Sequence, residues 1–135
     1  MLGRLLLIGS LAASPISLAF ADDCTNAQDQ ATMNACADKS LKKSDTELNS
    51  VYKQIEQRLK GDAETTKLLV AAQRSWVAFR DAECTFSNSR SADGSVYPMI
   101  YAMCLDGLTQ LRTKELKVYL NCEEGDMSCP VPAAN

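Results

Sequence analysis

The sequence contains no histidine. That removes Ser-His-Asp and Cys-His nucleophile pairs, HExxH zinc sites and the usual general base near neutral pH. No two of the six cysteines form a CxxC pair, so a zinc site or thioredoxin-like redox chemistry has little to build on. Basic charge is not in excess: 14 lysines and arginines face 17 aspartates and glutamates, a net charge of −3. No strong positive field exists to attract a polyanion, which argues against nucleic acid as a partner. No apolar run reaches the roughly 18–20 residues that span a bilayer, and no strand pattern or internal repeat is evident. Nothing in the pattern calls for a metal or a cofactor.

What is present is a 135-residue chain, 46% apolar and 23% charged, too apolar and too weakly charged for disorder and sized for one domain. Its first 21 residues read as a secretory leader. Arg4 precedes the apolar run from Leu5 to Ala13, and Ala19-Phe20-Ala21 is an A-x-A-like cleavage site followed by Asp22-Asp23. Cys24 lies near the junction where a lipoprotein carries its acylated cysteine, but Ala21-Asp22-Asp23 are the wrong residues ahead of one. The expected location is therefore periplasmic or secreted, with no membrane insertion and no lipid.

All six cysteines, Cys24, Cys36, Cys84, Cys104, Cys122 and Cys129, follow that leader. An even number in an oxidising compartment reads as three disulfides, for which 15 pairings are open. Local pairing is favoured: Cys24–Cys36, Cys84–Cys104 and Cys122–Cys129. Each bridge would remove unfolded-chain entropy worth on the order of 2–4 kcal/mol, a useful supplement for a small core.

Steps of three and four through Met33, Ala37, Leu41, Ser44, Leu48, Tyr52, Ile55 and Leu59 predict a long first helix. Thr25 with Gln28 offers an early cap, and Gly61-Asp62 a stop. Asp62 is a plausible N-cap for a second helix whose inward face reads Leu68 or Leu69, Ala72, Trp76, Phe79 and Glu83. Residues 88–95 form a polar loop, and Pro98 suits the first turn of a third helix. That helix carries Ile100, Met103, Cys104, Leu108, Leu111, Glu115 and Val118 on one stripe, widened by Leu105, Leu116 and Leu120. The fold class predicted is all-α, a small disulfide-stabilised antiparallel three-helix bundle over residues 22–121. Residues 122–135 follow as a disulfide-closed acidic loop and a tail.

Arg80, Asp81, Glu83 and Arg112 are charged residues inside otherwise apolar helical segments. Arg80 and Glu83 are spaced to pair on one face, and Arg112 is expected to reach Asp81 or Glu83 across the bundle, an internal network that fixes register. Trp76 reads as core. Asp81 and Glu83 also formally supply the two carboxylates of a glycosidase, but residues two apart on a helix point to different faces, and a slender bundle offers no deep groove. The lysines at 39, 42 and 43 read as a solvated face.

The runs Met33-Asn34-Ala35-Cys36-Ala37, Glu47-Leu48-Asn49-Ser50-Val51-Tyr52 and Ala71 to Cys84, with its AQRxWxxFRDxEC pattern, resemble the LprI-type lysozyme inhibitor family of secreted bacterial proteins. The run from Cys104 to Leu116 fits as well, so the resemblance covers roughly residues 24–120. It implies a small helical domain with disulfides and, for some members, inhibition of host c-type lysozyme. The sequence departs from lipid-anchored members in lacking the acylation cysteine, and the Cys122–Cys129 loop lies beyond the family core. The implied function is a binding protein, not an enzyme, that blocks the cleft of c-type lysozyme without covalent chemistry. Glu123, Glu124 and Asp126 are the candidate contacts with so basic a partner. The alternative is an envelope-associated protein-binding or cell-wall-binding module that leaves lysozyme alone.

Overall fold

The computed structural model describes residues 23–134; the leader expected over residues 1–21 lies outside them. Three helices carry the fold: α1 (Gln30–Arg58), α2 (Ala63–Ser87) and α3 (Tyr97–Leu120). Among the described residues there is no strand, so the all-α reading holds. Asp29, not Thr25, caps α1, its side chain accepting from Thr32 N at 2.8 Å. The residues where the earlier cap was expected wind instead into a 3-10 turn, Asp23–Asn26. Asp62 caps α2 as expected by accepting from Thr65 N at 3.0 Å. Gly61 makes the intervening turn at φ 101°, a left-handed conformation that side chains resist. Pro98 sits in the first turn of α3, where its missing N–H costs nothing.

The chain runs up, down and up, so consecutive helices are antiparallel while α1 and α3 run parallel. Asn34 donates to Ser95 O at one end, Ser40 to Asp106 midway, and Arg58 to Leu120 O at the other end. These two helices approach closely because small side chains, Ala37, Ser44, Ala102, Thr109 and Thr113, occupy their buried faces. The larger apolar groups collect toward the C-terminal ends of α1 and α3, where Leu48, Val51, Ile55, Leu59 and Leu116 form the core. Val131 joins that cluster, so the tail plugs one end of the bundle. Leu69 and Trp76 lean on it from α2.

The inward stripe of α1 is as expected, with Ala37, Ser44, Leu48, Ile55 and Leu59 buried, whereas those of α2 and α3 differ in part from the sequence expectation. On α3 the buried residues are Ala102, Leu105, Thr109, Thr113 and Leu116, whereas Met103, Leu111 and Val118 are exposed. On α2 only Cys84 is fully buried, and Phe79 and Ala72 face solvent. The reason is the closeness of the α1–α3 seam, which selects the stripe of small residues over the stripe of large ones. Burying threonine there is tolerable, since the Thr113 hydroxyl donates to Thr109 O at 2.8 Å.

The structure pairs Cys24 with Cys36, Cys84 with Cys104 and Cys122 with Cys129, at Cα separations of 5.5, 5.7 and 6.0 Å. The first ties the N-terminal turn to α1, the second clamps α2 to α3 below the loop that joins them, and the third closes the loop after α3.

Candidate functional site

Arg80 enters the bundle from α2 and is mostly buried. Its Nη1 donates to Asp45 Oδ1 of α1 and to Thr109 Oγ1 of α3, both at 3.2 Å, and its Nε donates to Asp81 Oδ1 at 3.0 Å. The guanidinium carbon lies 5.2 Å from the ring centroid of Trp76, within cation–π range. One side chain thus ties three helices together. Arg112, equally buried, donates from Nε to Gln73 at 3.2 Å and from Nη1 to Glu115 at 3.0 Å.

The two expected pairings, Arg80 with Glu83 and Arg112 with Asp81 or Glu83, are therefore replaced. Arg80 turns inward to the acceptors offered by α1 and α3. Arg112 lies eight residues beyond Cys104, and an antiparallel partner bridged at Cys84 presents Gln73 near that height, not Asp81. The disulfide itself held this α2–α3 register information, and Gln73 was the residue it would have revealed; Asp45, on α1, lies outside what that bridge fixes. Asp81 is occupied by Arg80, so Asp81 and Glu83 do not assemble as a catalytic couple; they project about 200° apart around α2.

Between α1 and α3 lies a polar seam that the periodicity did not single out. Asp106 accepts from Ser40 at 2.8 Å, from Gln110 at 3.1 Å, and from Ser44. Burial pushes the Asp106 carboxyl up, but these three donors outweigh it and hold its pKa below the ordinary value. Farther along, Lys117 donates to Glu47, and that bond with the nearby Lys43 lowers the Glu47 pKa. A groove of about 290 Å³ opens here, lined by both cations and by Lys114.

The acidic loop projects from the end of the bundle. Glu123, Glu124 and Asp126 are all exposed, and Gly125 takes φ 85° to make the turn. Asp126 accepts from Ser128 N at 2.9 Å and from Ser128 Oγ at 2.6 Å, bonds that lower its pKa. One of the three acids is therefore committed to shaping the loop, and Glu123 and Glu124 remain directed to solvent. Beneath the tail an apolar slot of about 220 Å³ is lined by Ile55, Leu69, Tyr119 and Val131, with Arg112 at its side.

Among the described residues no three metal-ligating side chains gather, and no helix is long and apolar enough to cross a membrane. Arg58, Arg80 and Arg112 are engaged in holding helices, and Glu123 and Glu124 are outside. Such an arrangement suits recognition of another surface. Residues 21–116 match the family model described as lysozyme inhibitor LprI, which takes in all of α1 and α2 and most of α3. The chain belongs to the LprI lysozyme inhibitor family. A curated relative, described as uncharacterized protein R02472 of Rhizobium meliloti (strain 1021), is 33% identical over 113 residues, covering 76% of this chain and 81% of that protein. No solved structure matches. The LprI match includes Trp76, Arg80, Asp81, Glu83 and Arg112, and stops short of the acidic loop. At the level of the family the activity is inhibition and the partner a protein.

Proposed function

We propose that this LprI-family protein acts in the periplasm or outside the cell, after loss of residues 1–21, and inhibits c-type lysozyme by non-covalent occlusion of its active-site cleft. The observation that carries the reading is the family match across the helical core. Supporting it is the electrostatics: the chain is net acidic, c-type lysozymes are basic, and opposite fields speed encounter and favour the productive orientation. Residues 22–121 form the domain that carries the inhibitory surface. Residues 122–135 add a bridged acidic loop, whose preorganisation lowers the entropy lost on binding.

The test is titration of the oxidised protein into c-type lysozyme, following cell-wall lysis, with calorimetry in parallel. Inhibition that saturates near one to one, with Kd in the micromolar range or tighter, is the expected result. Absence of binding at tens of micromolar would overturn the reading and leave the envelope-binding alternative, in which the same domain recognises a different wall component or protein.

A further inference from the structure

In a chain of net negative charge, three lysines converge on one groove. Lys43 of α1 and Lys114 and Lys117 of α3 line the opening of about 290 Å³ between those helices, and every other side chain around it is polar as well. Its one lining carboxylate, Glu47, accepts a hydrogen bond from Lys117 and feels the charge of Lys43, so the groove already shows that it seats a carboxylate between cations. Among the described residues neither Lys43 nor Lys114 is in an ion pair. The wall behind them is polar too. Ser40, Ser44 and Gln110 donate to Asp106, which leaves the Ser40 oxygen and the Gln110 amide oxygen with lone pairs to accept further hydrogen bonds. Three ammonium groups set against Glu47 and Asp106 leave one positive charge unbalanced.

We propose that this groove binds a sugar acid, a single saccharide ring bearing one carboxylate, with the carboxylate taken by Lys43 and Lys114 and the ring hydroxyls set against Ser40 and Gln110. Charge selects a monoanion. A phosphate monoester, with about two charges, would leave the groove net negative. The lining selects a sugar: hydroxyls both give and accept hydrogen bonds, and the groove offers ammonium donors beside hydroxyl and amide acceptors, with no apolar side chain to receive an acyl or aromatic group. Size selects one ring, since about 290 Å³ lies at the bottom of the ~300–1,000 Å³ range of small-molecule sites. Lysine suits the task as a mobile point charge that follows the carboxylate, at a modest gain because the side chains are exposed. Glu47 acts as an internal competitor, keeping Lys117 occupied and the affinity low.

A cationic groove has the wrong sign for a basic enzyme, so the inference stands apart from lysozyme inhibition and is tested without lysozyme. The isotope-labelled chain, expressed from its complete reading frame into an oxidising compartment, is titrated at low salt with glucuronic acid, N-acetylmuramic acid, N-acetylglucosamine and acetate while amide shifts are followed. Saturable shifts centred on Ser40, Ser44, Gln110 and Thr113 are expected for at least one of the two sugar acids, with Kd below ~10 mM. The neutral sugar and acetate should bind at least tenfold more weakly. Lys43→Ser with Lys114→Ser should raise Kd at least tenfold with helical content and disulfides intact. Lys53→Ser with Lys60→Ser removes the same charge from the groove at the α1–α2 turn and should leave Kd within twofold. Glu47→Gln, which frees Lys117, should tighten binding severalfold. Preference for glucuronic acid points to a uronic-acid polysaccharide and preference for N-acetylmuramic acid to the wall glycan, and either supports the site. No saturable shift with either acid, acetate binding as tightly as they do, equal losses in the two lysine pairs, or weaker binding in Glu47→Gln overturns the inference.

Discussion

Ser44 is nearly fully buried, and its hydroxyl is satisfied by donating to Asp106, which also holds Ser40 and Gln110. Replacing Asp106 with alanine orphans that hydroxyl in the α1–α3 seam, at a cost of about 1–3 kcal/mol. Thermal unfolding should show a Tm lower by several degrees. The same carboxylate gives a pH signature. Its folded pKa is depressed, so its contribution is complete above the unfolded value near 3.9 and is lost as pH falls through the folded one. Urea unfolding between pH 5 and pH 2 should lose part of its acid limb in Asp106→Asn, and an identical limb would refute the assignment. Arg80→Lys keeps the charge but not the fork that reaches Asp45, Thr109 and Asp81 together. A loss of about 1–2 kcal/mol in urea is expected, since one ammonium cannot occupy all three positions. The sequence marked Arg80 and Arg112 as internal charges, yet it misassigned their partners, because pairing across helices depends on register and not on spacing within one helix.

Among the three helices, α2 is the one held by cross-links more than by burial. Cys84 is its only fully buried residue, and the Cys84–Cys104 bridge with the two arginines does much of the fastening. Amide exchange should therefore be fastest in α2 and slowest where α1 and α3 touch, and uniform protection would contradict this picture. Removing the bridge with Cys84→Ala and Cys104→Ala should cost on the order of 2–4 kcal/mol and widen the difference in exchange. Asp29, which caps α1, was passed over, but the end of α1 and the starts of α2 and α3 were readable from Gly61, Asp62 and Pro98, whose backbone preferences act locally. The inward faces of α2 and α3 were less so. Met103, Leu111 and Val118 obey helical periodicity as well as Leu105 and Leu116 do, and only the closeness of α1 decides which stripe it covers. Val131 gave no periodic signal at all, because a single residue in a tail has no period.

For the molecule as a whole, charge is distributed by role. Glu123 and Glu124 project from a bridged loop, beyond the part matched to the LprI family. If they steer a basic enzyme, Glu123→Ser with Glu124→Ser should lower the association rate severalfold and flatten its dependence on salt, with dissociation little changed. Stopped-flow binding at 20 and 200 mM salt reads this directly, and rates that match the wild type at both would dismiss the loop. The parallel seating of α1 against α3 has a kinetic consequence as well. Ser40 meets Asp106 across 66 positions and Glu47 meets Lys117 across 70, so the main seam closes a loop that contains all of α2. Neighbouring helices in most small bundles can zip together early, but here the tightest contacts wait for the last helix. Folding of this chain should accordingly be slower than that of a helical protein of its size with local pairing, and a chain emerging from its N-terminus holds two helices with no finished core until α3 arrives.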